Sequence, residues 1–237
     1  MKIISDSENK DLKNYLLTIL SDEIRNDQTN QIVLKLKKNK YSILNTNYKD
    51  DPLISIDYTS EKYSNRINKR MEQKDIFLKL FKKKSASILD CTAGFGRDAY
   101  LLSKLGYMVT MIEKNPIVSL VVKNALENIN QERLSLYHGD SLDFLRHTNT
   151  EYDYIYFDFM FKKAKTKSLA SKHDETLRCI GYREPSEERL IQLAQQMCKK
   201  SVIVKGPKNS IKSNTLKANH RIQTKLLNYD IFISSNG

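Results

Sequence analysis

Ser85-Ala-Ser-Ile-Leu-Asp90-Cys-Thr-Ala-Gly94-Phe-Gly96-Arg-Asp98 is an apolar run that ends in a carboxylate, crosses a turn of small residues and enters a segment with helical periodicity from Arg97 to Leu105. That order reads as strand, glycine turn, helix. Glycine has no Cβ to hold a ligand away from the main chain, and a helix start offers unpaired N–H groups, so the stretch is expected to hold a nucleotide-type cofactor.

Beyond it, strands and helices alternate. Met108 to Ile112 reads as a strand, Pro116 to about Asn130 as a helix opened by proline, and Leu134 to His138 and Tyr152 to Asp158 as strands. A helix from Ser186 to Cys198 precedes a strand from Ser201 to Lys205. Such alternation predicts an α/β fold with a mostly parallel sheet covered on both faces. Ile222 to Leu226 and Tyr229 to Ile233 flank a tight turn and predict an antiparallel C-terminal hairpin closing that sheet. From Lys162 to about Pro185 there is no clear period, which reads as a long loop that is either functional or mobile.

Upstream, residues 1–52 read as a small α/β appendage, with strands at Lys2 to Ile4, Ile32 to Leu36 and Tyr41 to Leu44 and a helix near Leu12 to Leu20. Asp51-Pro52 marks the boundary, because the residue before proline is pushed out of the helical region. The main domain is then 53–237, opening with a strand at Ile54 to Tyr58.

The 237 residues carry 40 Lys and Arg against 28 Asp and Glu, a formal net charge of +12, which points to a polyanionic partner or to a lysine-rich solvated surface. Basic residues gather in 62–84, 162–172 and 205–217. The three cysteines, Cys91, Cys179 and Cys198, are widely spaced and form no Cys-x-x-Cys pair, so neither a disulfide framework nor a zinc site is expected. With no signal peptide and no apolar run near ~18 residues, a cytoplasmic protein away from the membrane is expected.

Gly94-x-Gly96-x-x-Ala99 fits a dinucleotide fingerprint, and Glu113 ends the next strand seventeen residues after Gly96, where a carboxylate accepts hydrogen bonds from ribose hydroxyls. Alone, the pattern fits NAD or S-adenosylmethionine (SAM). Asp90 before the turn, Thr92 within it and Arg97-Asp98 after it favour the sulfonium cofactor, since a pyrophosphate is poorly matched to that carboxylate. Asp140, after His138-Gly139, falls on the same rim as Asp90 and Glu113 and suits the adenine amine. In Tyr154-Ile-Tyr-Phe-Asp158-Phe-Met-Phe161, a carboxylate at a strand end and an aromatic three residues on suit methylation of an exocyclic amine: Asp158 accepts the N–H groups and Phe161 stacks on the base.

Leu89-Asp-Cys-Thr-Ala-Gly-Phe-Gly-Arg-Asp-Ala99, Glu113-Lys-Asn-Pro-Ile-Val118, Asp158-Phe-Met-Phe161, Val204-Lys205 and Asn228-Tyr-Asp-Ile-Phe232 together resemble the RsmJ-type methyltransferases, class I Rossmann-like enzymes. The resemblance covers about Ile54 to Phe232. It implies SAM-dependent methylation of N2 of a guanosine in 16S ribosomal RNA, with ribosomal RNA or the small subunit as partner and no metal. It also implies cofactor contacts from Arg97 with Asp98, Glu113 with Lys114, Asp140 with Ser141, and Asp158. The family's Asp-Pro-Met-Phe-Pro is here Asp158-Phe159-Met160-Phe161-Lys162, without either proline, which leaves that turn less constrained. A glycine-rich patch of the family is replaced near Asn68 to Glu72. The rival readings are a small-molecule methyltransferase, an RNA-binding protein of this fold without turnover, and an NAD-dependent oxidoreductase.

Overall fold

The computed structural model describes residues 2–19, 32–38, 40–47, 53–72, 76–129, 132–159, 172–180, 187–208 and 216–235. The first elements are β1 (Lys2–Ser5), α1 (Lys10–Ile19), β2 (Ile32–Lys37), β3 (Lys40–Asn45) and β4 (Leu53–Ser55). These strands form one sheet in the order β1-β2-β3-β4, with β1 parallel to β2 and the rest antiparallel. The strand expected at Ile54 to Tyr58 therefore stops at Ser55 and pairs with β3, so the sheet continues past the boundary suggested at Asp51-Pro52.

Two helices follow, α2 (Glu61–Glu72) and α3 (Ile76–Leu80), and then β5 (Ser87–Asp90), α4 (Arg97–Lys104), β6 (Met108–Glu113), α5 (Pro116–Glu127), β7 (Leu134–His138), α6 (Ser141–His147) and β8 (Tyr152–Asp158). The chain closes with α7 (Lys172–Ile180), α8 (Glu187–Met197), β9 (Cys198–Pro207), β10 (His220–Gln223) and β11 (Leu227–Ile233). The second sheet has seven strands in the order β10-β11-β9-β8-β5-β6-β7. Strands β5 to β9 are mutually parallel, and β11 runs antiparallel to both β9 and β10.

Strand β8 shows why the sheet is central. Residues 152–157 are all buried, the pattern of a strand covered on both faces. Tyr154 and Tyr156 face a core shared with α3, α4, α5 and the first sheet, while Ile155 and Phe157 face a core with Leu145 of α6 and Leu190, Ile191 and Ala194 of α8. Helix ends follow local chemistry: Pro116 starts α5, and Asn115 caps it by accepting the N–H groups of Ile117 and Val118.

One helix lies where the sequence periodicity is weak. Helix α7 falls within the stretch read as irregular from Lys162 to Pro185. Its inner face, His173, Thr176, Leu177 and Ile180, has helical spacing but includes a polar hydroxyl and an imidazole, which blurs the apolar signal. Strand β10 begins and ends earlier than expected because Thr224 closes the turn, its N–H and hydroxyl both meeting Leu227. Among the described residues, no helix is long and apolar enough to cross a membrane.

Gly96 sits at φ 64°, the left-handed region, and a Cβ there would lie 2.4 Å from Tyr58 Oη and 3.0 Å from Met111 Sδ. Gly96→Ala therefore combines backbone strain of about 1–2 kcal/mol with a steric clash. Denaturant titration should show a loss of at least that size, and Tyr58→Phe in the same chain should recover part of it. An unchanged midpoint for Gly96→Ala would contradict this packing.

Candidate active site

Strands β5 to β9 all end on one edge of the sheet, and the expected site residues that are described lie along it. Asp90 closes β5, is 2% exposed and accepts the Thr92 N–H at 3.1 Å. Burial pushes its pKa up to about 8 against that N–H bond, with Asp98 and Asp158 adding to the rise and Lys205 opposing it. The turn that follows is bound to the next strand: Ala93 N–H reaches the Ile112 carbonyl, and Gly94 N–H donates to Glu113 Oε2 at 2.9 Å. The other oxygen of Glu113 accepts the Asn115 N–H at 2.7 Å. Glu113 thus ties the turn after β5 to the start of α5, while burial pushes its pKa up to about 7 against those N–H bonds.

The glycines serve the turn differently from the expectation of open ligand approach. The vacant Cβ position of Gly96 is faced by Tyr58 and Met111, and that of Gly94 lies 3.2 Å from Leu177 of α7. Tyr58 also donates to the Phe95 carbonyl at 3.1 Å and stacks on Tyr100, with ring centroids 4.4 Å apart. Both glycines are needed because protein packs against them.

At the neighbouring strand ends, one ammonium group joins two carboxylates. Lys205 Nζ donates to Asp98 Oδ2 and to Asp158 Oδ2, each at 2.7 Å. Asp158 and Lys205 are register partners on β8 and β9, and Asp98 comes from the first turn of α4. Tyr156 donates its hydroxyl to the same Asp98 oxygen at 2.8 Å, and Thr92 accepts the main-chain N–H of Asp158 at 2.6 Å. Lys205 opens the basic stretch 205–217 in the sequence, but its side chain is only 17% exposed and is committed to these carboxylates.

Other expected residues divide between open and structural roles. Asp140 caps α6 by accepting the Leu142 and Asp143 N–H groups, and its other oxygen pairs with Lys114 at 2.8 Å. Ser141 is buried and donates its hydroxyl to the Cys91 carbonyl, joining the α6 start to the end of β5. Arg97 holds Asp174 of α7 at 3.7 Å through one terminal nitrogen, while its Nε is buried without a partner among the described residues. Phe161 lies outside the described residues. Phe159 is buried and stacks on Phe157 at 4.9 Å between centroids, so the position where the related family has proline is filled by a packed ring.

Sequence reading names neither α6 nor α7, and it gives Lys205 only as part of the Val204-Lys205 motif, without its carboxylate partners. Helix α7 lies over the turn: Leu177 faces Gly94, the His173 ring meets Phe95 edge-on, and Asn115 donates its side-chain amide to the Ile180 carbonyl. Asn45 of β3 reaches Thr176 at 2.8 Å, joining the first sheet to the same helix. Lys83, by contrast, pairs with Asp153 at 2.9 Å where β8 begins, so the Lys82 to Lys84 end of the basic segment lies on the edge opposite Asp158.

A family profile described as "Putative SAM-dependent methyltransferase" matches residues 19–234. Among curated proteins, the ribosomal RNA small subunit methyltransferase J of Buchnera aphidicola subsp. Schizaphis graminum (strain Sg) is 26% identical over 243 residues, spanning 98% of this chain and 96% of that protein. The protein of that name from Shewanella loihica is 31% identical over 158 residues, 63% of this chain and 61% of its own length. Among solved structures, a SAM-dependent methyltransferase from Neisseria gonorrhoeae aligns over 100% of this chain and 97% of its own with a TM-score of 0.66 at 19% identity, a likeness of fold.

An acceptor role for Glu113 toward a ribose predicts that Glu113→Ala weakens SAM binding by about 2–4 kcal/mol. Because the ionised carboxylate is the acceptor and its pKa is raised to about 7, wild-type affinity should tighten as pH rises through that value. Calorimetry from pH 6 to 8 checks both; unchanged affinity in the variant would reject the role.

Proposed function

Because this chain belongs to the SAM-dependent methyltransferase family, whose profile spans residues 19–234, we propose that it methylates the N2 amine of a guanosine in small-subunit (16S) ribosomal RNA. The observation that carries this reading is Asp158, an acceptor held at the end of β8 by Thr92 behind it and Lys205 beside it. The nearly end-to-end likeness to a ribosomal RNA small subunit methyltransferase supports the substrate class.

The donor set along the sheet edge fits SAM. Glu113 is the acceptor for ribose hydroxyls, and Asp140 with Lys114 stands on the next strand end for the adenine. The buried, unpartnered Nε of Arg97 is a donor for the amino-acid carboxylate, and Asp98 lies beside it at the start of α4. Asp90 lies beneath the turn, and Gly94, Gly96 and Ser141 hold the turn and the α6 start in place. When bound, SAM supplies a methyl group made electrophilic by its positive sulfur.

A guanine amine is a poor nucleophile because its lone pair is delocalised into the ring. Asp158 counters this by accepting an N–H bond from the amine, which localises the lone pair and aims it. Its Oδ1 has no partner among the described residues, whereas Oδ2 is held by Lys205. The gain is chiefly orientation, which requires no metal. Phe161, three residues further on, is assigned to stack on the base once it leaves its helical or stacked context. The basic residues of α2, with those of 162–172 and 206–217, are assigned to the RNA phosphates, which position the strand without reading its sequence.

Single-turnover methylation of undermethylated small-subunit RNA tests the reading. Asp158→Ala should lower the rate by roughly 100-fold or more, and Asp158→Asn by less, because its amide oxygen still accepts one hydrogen bond. RNA binding should survive both changes. Wild-type rates in Asp158→Ala would remove Asp158 from the chemistry.

A further inference from the structure

The carboxyl edge of the sheet crowds acidic groups. Asp90 ends β5, Asp98 opens α4, Asp158 ends β8, and Asp174 of α7 contributes a further negative charge; the Tyr156 hydroxyl faces Asp98 from below. Against them stand Arg97, drawn toward Asp174, and Lys205. Two of the three N–H donors of Lys205 are used on Asp98 and Asp158 at equal distances of 2.7 Å. The two carboxylates differ in exposure: the Asp98 side chain is 16% exposed and that of Asp158 is 40% exposed, so the shared lysine reaches from the protein interior to the lip of the site.

We propose that Lys205 is a positioning residue for methyl transfer: by holding Asp98 and Asp158 through one ammonium group, it fixes Asp158 with Oδ2 turned inward and Oδ1 presented to the substrate amine. This rests on the assignment of Asp158 as the amine acceptor. Three elements set the arrangement. Register pairing brings Asp158 and Lys205 side by side, the first turn of α4 supplies Asp98, and Tyr156 prevents Asp98 from swinging away. The same contact favours the ionised form of Asp158, opposing the rise in its pKa that burial and the carboxylates of Asp98 and Asp174 cause. A carboxyl group surrounded by Asp90, Asp98 and Asp174 without Lys205 holds its proton to higher pH, and a protonated Asp158 offers an O–H where the amine needs an acceptor.

The sign of the pH effect follows. Removing the ammonium group leaves activity low at neutral pH, and activity returns as the pH rises through the raised pKa of Asp158. Lys205→Met keeps the length of the side chain and removes its charge, whereas Lys205→Arg keeps the charge. At pH 7, Lys205→Met should lower the single-turnover rate by roughly 30-fold, with most of the loss recovered by pH 9 and SAM affinity changed only a few-fold. Lys205→Arg should stay within about 5-fold of wild type and keep its pH profile.

A second readout needs no RNA: the carboxyl-carbon NMR titration of Asp158, assigned by its disappearance in Asp158→Asn. Its midpoint should rise by about one pH unit or more in Lys205→Met and return in Lys205→Arg. Should Lys205→Met fail to fold, Asp98→Asn takes its place; by leaving Lys205 to Asp158 alone, it should lower the midpoint. An unmoved Asp158 titration, or a rate loss equal at every pH, would overturn the proposal and leave Lys205 a packing residue. If wild-type protein leaves small-subunit RNA unmethylated, the substrate assignment fails, while the carboxyl titration still decides the role of Lys205.

Discussion

Placing carboxylates side by side at the buried end of a parallel sheet is costly unless a cation is shared among them, and Lys205 meets that condition here. Desolvation favours the neutral acid, and each neighbouring carboxylate favours it further, as the elevated pKa of Asp90 shows. The lysine bridge holds Asp98 and Asp158 at hydrogen-bonding distance from one nitrogen. The Thr92 hydroxyl then accepts the main-chain N–H of Asp158, and the Tyr156 phenol donates to the Asp98 oxygen that Lys205 also holds. The geometry of the site follows from satisfying these charges together.

The support of that edge reaches back to the N-terminal sheet. Tyr58, beyond β4, fills the space left by Gly96, accepts the Tyr100 hydroxyl through its carbonyl and donates to the Phe95 carbonyl. Asn45 of β3 holds α7 through Thr176, and Asn124 of α5 accepts the main-chain N–H of Tyr41. The first sheet therefore braces the glycine turn from two directions. Charge alone does not mark the working face: Lys83 and Lys199 pair with acidic residues at the opposite edge, and Lys200 lies over the Tyr154 ring there.

The parts of this arrangement that were legible in sequence are those governed by local periodicity. The strand from Ser87 to Asp90, the turn, the helix from Arg97 and the strands ending at Glu113, His138 and Asp158 all follow from apolar patterning and helix-start chemistry within a few residues. Asp90, Glu113, Asp140 and Asp158 could be placed on one rim because parallel strands share an end. Lys205 stands in the quoted Val204-Lys205 motif, but its bridging role could not be read there, because that role arises only through the pairing of β9 with β8. Helix α7 was hidden because His173 and Thr176 occupy positions on its inner face. Phe159, read as the loss of a constraining proline, instead gains a stacked partner in Phe157, a contact two residues away that periodicity does not reveal.

The central claim, that this site methylates a guanine amine of small-subunit ribosomal RNA, is tested most directly by mapping modified nucleotides in 16S RNA from cells lacking the gene. Mass spectrometry of nuclease fragments should find one N2-methylguanosine missing, restored by the wild-type gene and not by the Asp158→Ala form. An unchanged set of modified nucleotides in cells without the gene would contradict the account.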